Sequence, residues 1–109
     1  MVHDNLVMDF LVLLSAHFLA DLPLQGEWVA TEKRNAFKTP LGTVCLLGHA
    51  FIQALIVSLV AGYMGYNFEM AFLLVGFTHF FIDLGKIRGV YGVFTDQILH
   101  YIILLMIIL

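Results

Sequence analysis

Twice in this chain a histidine is followed four residues later by an aspartate inside an apolar run: His17-Phe18-Leu19-Ala20-Asp21-Leu22 and His79-Phe80-Phe81-Ile82-Asp83-Leu84. A reversed pair, Asp96-Gln97-Ile98-Leu99-His100, lies near the end of the sequence. Residues i and i+4 share one helix face a turn apart, so each pair offers an imidazole and a carboxylate to the same neighbour. An ionisable side chain at mid-membrane costs roughly 2.5–3.5 kcal/mol on insertion scales. Packing alone does not account for so many of them in 109 residues.

The runs around these pairs are membrane-like. The chain is 61% hydrophobic and 12% charged, with mean hydropathy +0.97; soluble domains average roughly 45–50% apolar and about 25% charged. The expected fold class is all-α: a polytopic membrane protein, a four-transmembrane-helix bundle with an interfacial segment after helix one, forming a single domain. A spanning helix takes about 20 mainly apolar residues. Four stretches approach this: 5–22, stopping at Pro23; 41–62, just after Pro40; 68–84, ending at Gly85; and 93–109. The first residues carry no basic cluster and no small-residue cleavage site, so helix one is expected to be retained rather than removed as a signal peptide. A single cysteine, Cys45, excludes an intrachain disulfide, and five scattered Lys/Arg make no groove for nucleic acid.

The connections set the orientation. Residues 24–39 hold Glu27, Glu32, Lys33, Arg34 and Lys38 with Trp28 and Phe37, a mix suited to an amphipathic segment in the interface with Trp28 as its anchor. Lys86 and Arg88 lie in the third connection, while 61–67 is uncharged and Gly-rich. All basic residues thus fall on one side, which the positive-inside rule makes cytoplasmic, with both termini external. His3 and Asp9 then lie near the external end, in solvent. The two near-identical hexapeptides suggest two helical hairpins of the same topology, related by an axis along the membrane normal.

Depth turns the separate residues into a candidate site. Helices one and three meet the histidine first and the aspartate a turn later; helices two and four run the other way, and there Asp96 precedes His100 and Cys45 precedes His49. At about 1.5 Å per residue, His17, His79 and His100 sit roughly 7–10 Å deep, with His49 near the same level. Asp21, Asp83, Asp96 and Cys45 make a shallower layer, and Gln53 and Gln97 are placed to hydrogen-bond into either.

Imidazole with carboxylate oxygen suits a divalent metal: zinc first, with iron or manganese as alternatives. The candidate metal residues are His17, Asp21, His49, His79, Asp83, Asp96 and His100, and the candidate catalytic carboxylates Asp21, Asp83 and Asp96. One ion or two is left open. Other readings stand beside this one. Membrane histidines also serve as helix-to-helix hydrogen-bonding groups, and chains of Asp and His relay protons or ions. Asp83 with Lys86 and Arg88 also reads as an interfacial ion pair, and Cys45 as a small apolar filler.

The ordered set His17-x-x-x-Asp21, Pro23-Leu24-Gln25, Trp28, Lys33, His49, His79-x-x-Ile82-Asp83-x-x-Lys86 and Asp96-Gln97-x-x-His100 resembles a family of small bacterial and phage membrane proteins catalogued as domain of unknown function 3307. The resemblance spans nearly the whole chain, departs from the family's pattern at Gly26, and implies the bacterial inner membrane as location without implying an activity. A looser likeness is to bacterial membrane proteins labelled as metal-dependent hydrolases.

The expected function is an intramembrane His/Asp metal site near the cytoplasmic face, belonging to a metal-dependent hydrolase that acts on a lipid or phosphoester. Lys33, Arg34, Lys86 and Arg88 then lie at headgroup depth. The alternatives are a transporter or channel for protons or divalent metal, and a non-catalytic membrane module. Membrane lipids and further copies of the chain, in a homo-oligomer, are the expected partners.

Overall fold

A computed structural model describes residues 5–22 and 25–109. Five α-helices follow one another: α1 (Leu6–Asp21), α2 (Gly26–Glu32), α3 (Pro40–Tyr63), α4 (Phe68–Ile87) and α5 (Val93–Ile108), with a 3-10 turn at Lys33–Asn35 between α2 and α3. Among the described residues there is no strand, only an isolated bridge between Ala36 and Thr39. His3 and Pro23 lie outside the described residues.

Local chemistry fixes the helix starts. Asn5, Thr39 and Asn67 cap α1, α3 and α4, their side-chain oxygens accepting the N–H of Met8, Gly42 and Met70 at 2.9–3.0 Å, which satisfies donors that have no partner within the helix. Pro40 occupies the first turn of α3, where its missing N–H does no harm.

Helices α3 and α4 end in the same way. Gly65 (φ +99°) and Gly89 (φ +75°) take the left-handed conformation, and Tyr66 and Val90 N–H reach back to Ala61 and Gly85 carbonyls at 2.9 and 3.0 Å, a Schellman closure. The expectation that the third helix ends at Gly85 is therefore corrected: α4 runs on to Ile87. Gly85 has a packing role instead, because a Cβ there would collide with the Tyr91 ring, whose hydroxyl donates to the Ile82 carbonyl at 2.5 Å.

The four long helices form a ring in which α1 packs on α3, α3 on α4, α4 on α5 and α5 on α1. Tyr66, in the α3–α4 turn, donates to Asp9 Oδ2 on α1 at 2.6 Å, so the start of α1 lies at the end of the bundle opposite the basic connections. Leu13, Val57, Val75, Leu104 and Ile107 with several alanines make a dry core through that half. The outer surface is apolar as well: Phe77 and Phe81 are 65% and 62% exposed, while His17, His79 and Asp83 are buried. Polar groups inside and aromatic groups outside is the distribution of a protein solvated by lipid.

Two of the helices, α3 and α4, are long and apolar enough to cross a membrane; a third span arises if α1 and the segment bent 79° from it count together. At about 1.5 Å per residue, the sixteen residues of α1 or of α5 cover about 24 Å, less than the hydrocarbon thickness of about 30 Å. Apolar composition measures the run and not the helix within it. The Asn5 cap and the break after Asp21 bound α1, and α5 starts at Val93 as expected, with Gly92 at its N-cap.

The segment after α1, expected as an amphipathic interfacial segment, also reaches into the bundle. Lys33 is buried, and Gly42 brings the 3-10 turn onto α3, since any Cβ at Gly42 would strike the Asn35 backbone. Phe37 closes the connection in a left-handed conformation (φ 65°) that costs a non-glycine residue roughly 1–2 kcal/mol. Its N–H donates to Thr43 Oγ1 at 2.8 Å. Trp28 is exposed, as an interfacial anchor requires.

Candidate metal centre

Four helices deliver the polar residues to one level near the basic end. His17 and Asp21 come from the last turns of α1, His79 and Asp83 from the last turns of α4, Asp96 and His100 from the first turns of α5, and His49 from α3. The four imidazoles form a contiguous patch. Ring centroids of His79 and His100 stack at 4.3 Å, His49 and His79 meet edge-on at 4.7 Å, and His17 lies 5.2 Å from His100 and 6.2 Å from His79. All four rings are buried.

The carboxylates face the same nitrogens. Asp83 Oδ2 lies 3.6 Å from His79 Nε2 and 3.7 Å from His49 Nε2, and its Oδ1 lies 3.7 Å from His100 Nε2. Asp96 Oδ1 is 3.5 Å from His100 Nε2 and Asp21 Oδ1 is 3.9 Å from His79 Nε2. One contact is a true hydrogen bond: His49 Nε2 donates to Asp21 Oδ1 at 3.0 Å. The others exceed hydrogen-bonding range. Among the described residues His49 Nδ1 and Gln53 Oε1 are buried with no hydrogen-bond partner, and so are three atoms of the cluster, His79 Nε2, His100 Nε2 and Asp96 Oδ1.

Buried polar atoms left unpaired are costly, and these three sit among atoms of one kind, metal donors. Donors about 2.0–2.1 Å from a tetrahedral ion lie about 3.3–3.5 Å apart; the imidazole–carboxylate separations of 3.5–3.9 Å approach this, and the donors of each group all lie within 4.8 Å of one another. Two overlapping groups can hold an ion, Asp21–His49–His79 and His79–Asp83–His100.

Not every candidate takes the same place. His17 has both ring nitrogens engaged: the Gln53 amide donates to Nδ1, and Nε2 donates to Gln97 Oε1 at 3.4 Å. It stands beside the donors as a hydrogen-bonded wall. Gln97 in turn donates to Asp96 Oδ2 at 3.0 Å. Cys45 is buried and belongs to neither ligand group among the described residues.

Lys33 is the residue whose place sequence reasoning missed. Its ammonium donates to Asp83 Oδ2 at 2.7 Å and to Gln25 Oε1 at 2.5 Å, and Gln25 donates to the Asp21 carbonyl at 3.0 Å. The reading of Asp83 as paired with Lys86 and Arg88 is corrected accordingly. Lys86 instead approaches Asp96 Oδ2 at 3.9 Å, and Arg88 lies 5.6 Å over the Phe37 ring. Among the described residues Asp83 pairs with the Lys33 ammonium, Asp96 is approached by that of Lys86, and Asp21 faces the imidazoles of His49 and His79. A cleft of about 310 Å³ at the basic end is bordered by Asp21, Gln25, Lys33 and Lys86.

Searches of curated proteins and of solved structures give no match to this chain. A family model, that of a protein of unknown function (DUF3307), matches residues 10–109. With the match running from the first turns of α1 to the last residue and taking in every polar side chain of the cluster, the chain belongs to the DUF3307 family.

Proposed function

We propose that this protein is a metal-dependent hydrolase with a one-ion centre within a four-helix membrane bundle, opening toward the cytoplasmic face of a bacterial inner membrane. The observation that carries the reading is the set of buried donor atoms without a hydrogen-bond partner among the described residues, His79 Nε2 and His100 Nε2 beside Asp83, with Asp96 Oδ1 3.5 Å from His100 Nε2. His79, His100 and Asp83 are the ligands, with Asp96 as a further donor on the His100 side. The two candidate ligand groups share His79, which favours a single ion over two. Zinc fits this nitrogen and oxygen set best, with iron or manganese next.

Such an ion, when bound, brings a coordinated water to a pKa near 7 and polarises an ester oxygen. Asp21 is the general base: it borders the cleft and is held by His49 at 3.0 Å. The water oxygen bonds to the electrophilic phosphorus or carbonyl carbon as Asp21 takes its proton. The ester oxygen leaves with the electrons of the broken bond and receives that proton back. Lys33 holds Asp83 Oδ2 and leaves Oδ1 toward His100.

A transport path is less well supported. Beyond the histidines the core is Leu13, Val57, Val75, Leu104 and Ile107, and the buried Ser58 hydroxyl is used by the Leu55 carbonyl. That half holds little to conduct an ion.

Turnover of a chromogenic phosphate or acyl ester by purified protein tests the proposal. Chelator abolishes turnover, zinc restores it, and Asp21→Asn removes at least about a hundredfold of rate while keeping the ion. Turnover indifferent to chelator and to Asp21→Asn overturns it.

A further inference from the structure

In the ring of helices, α3 is joined to α4 and α4 to α5 by short turns, and α1 is joined to α3 through α2. The first and last helices, α1 and α5, meet with no connection between them. The cleft lies at that seam. On its outer side are Phe18 and Leu22 from α1 and Val93 from α5, with Leu22 and Val93 each 64% exposed. On its inner side are the ammonium groups of Lys33 and Lys86 with the Asp21 carboxylate, which His49 holds at 3.0 Å; the two lysines also line a second cleft of about 550 Å³ beside α2.

Among the described residues the ammonium groups are not saturated. An ammonium carries three donors; Lys33 uses two there, on Asp83 and Gln25, and Lys86 lies 3.9 Å from its carboxylate, beyond a hydrogen bond. The first turn of α5 has no side-chain cap, so its free N–H groups add positive potential beside Val93. An anionic phosphate at the inner end and a hydrocarbon chain at the outer end match this lining. A wholly water-soluble ester leaves the apolar lips unused.

We infer that the α1–α5 seam is a sideways entrance for a phosphate-bearing lipid, whose phosphate is held by Lys33 and Lys86 next to the histidine cluster while its acyl chains remain outside against Phe18, Leu22 and Val93. This deepens the hydrolytic reading by naming the substrate class, and it rests on that reading only for the reaction, not for the binding.

Native mass spectrometry of the detergent-purified full chain, held in chelator, tests the binding alone. Phosphatidic acid is retained about tenfold over diacylglycerol with the same chains, and glycerol phosphate does not displace it. Lys86→Gln, at a side chain only partly buried, lowers retention by about tenfold, and Val93→Trp, which fills the lip, lowers it by a similar factor. Equal retention of diacylglycerol, or full retention in both variants, overturns the phosphate site; glycerol phosphate competing on equal terms overturns the lipid source. A protein that carries no ion as purified without chelator, and takes none up from metal-containing buffer, yet selects phosphatidic acid removes the hydrolytic reading and leaves this one standing. A metal-loaded protein without that selection does the reverse.

Discussion

Lys33 Nζ lies 2.7 Å from Asp83 Oδ2, both side chains buried, although fifty residues separate them in the chain. The pair ties the segment after α1 to the last turn of α4 and fixes the carboxylate that faces three imidazoles.

Removing one partner of a buried ion pair leaves an uncompensated charge, while replacing both by apolar groups is often tolerated. Lys33→Met alone therefore destabilises by about 3–5 kcal/mol, and adding Asp83→Leu recovers most of that loss. Thermal unfolding in detergent of the two single variants and the double variant measures this; additive losses would show that the two groups do not interact.

Asp96 stands 3.5 Å from His100 Nε2 with its Oδ1 unpartnered. Asp96→Asn keeps the shape and removes the charge, and zinc affinity falls by about 10–100-fold. Competition against a coloured chelator gives the number. Unchanged affinity would place Asp96 outside the centre.

Two glycines of α3 behave oppositely. Gly42→Ala drives a methyl group into the Asn35 backbone and costs about 1–3 kcal/mol. Gly48 has nothing within 4 Å of a new Cβ, so Gly48→Ala gains up to about 1 kcal/mol from helix propensity. Melting temperatures of the two variants should move in opposite directions.

At the far end, burial and then the hydrogen bond to Asp9 push the Tyr66 phenol up to about 12 from 10.0. A pKa raised by folding contributes stability that is intact below the unfolded value and is lost as pH rises through the folded one. The stability difference between wild type and Tyr66→Phe should accordingly hold below pH 10 and shrink between pH 10 and about 12. Melts across that window check it, and a difference independent of pH would contradict it.

Much of the cluster was legible because helix geometry is strict. Spacing of four residues put His79 with Asp83 and Asp96 with His100 on shared faces, and the reversal of order between antiparallel helices put them at one depth. Lys33 was not legible, because its position depends on a turn folding under the bundle, and the one local sign of that is the bare α-carbon of Gly42. His17 looked equivalent to His79 by motif, yet Gln53 and Gln97 occupy its nitrogens, a difference set by which glutamines happen to face it across helices. The third helix was read short at Gly85 because glycine signals a helix end; here it makes room for Tyr91.

The most direct test is the metal content of the purified chain, read by elemental analysis together with X-ray absorption. The expected result is about one zinc, iron or manganese ion per chain, bound by nitrogen and oxygen at about 2.0–2.2 Å, and lost in His79→Ala and His100→Ala variants that remain folded. Well-folded protein that carries no ion and takes up none from zinc-, iron- or manganese-containing buffer would contradict it.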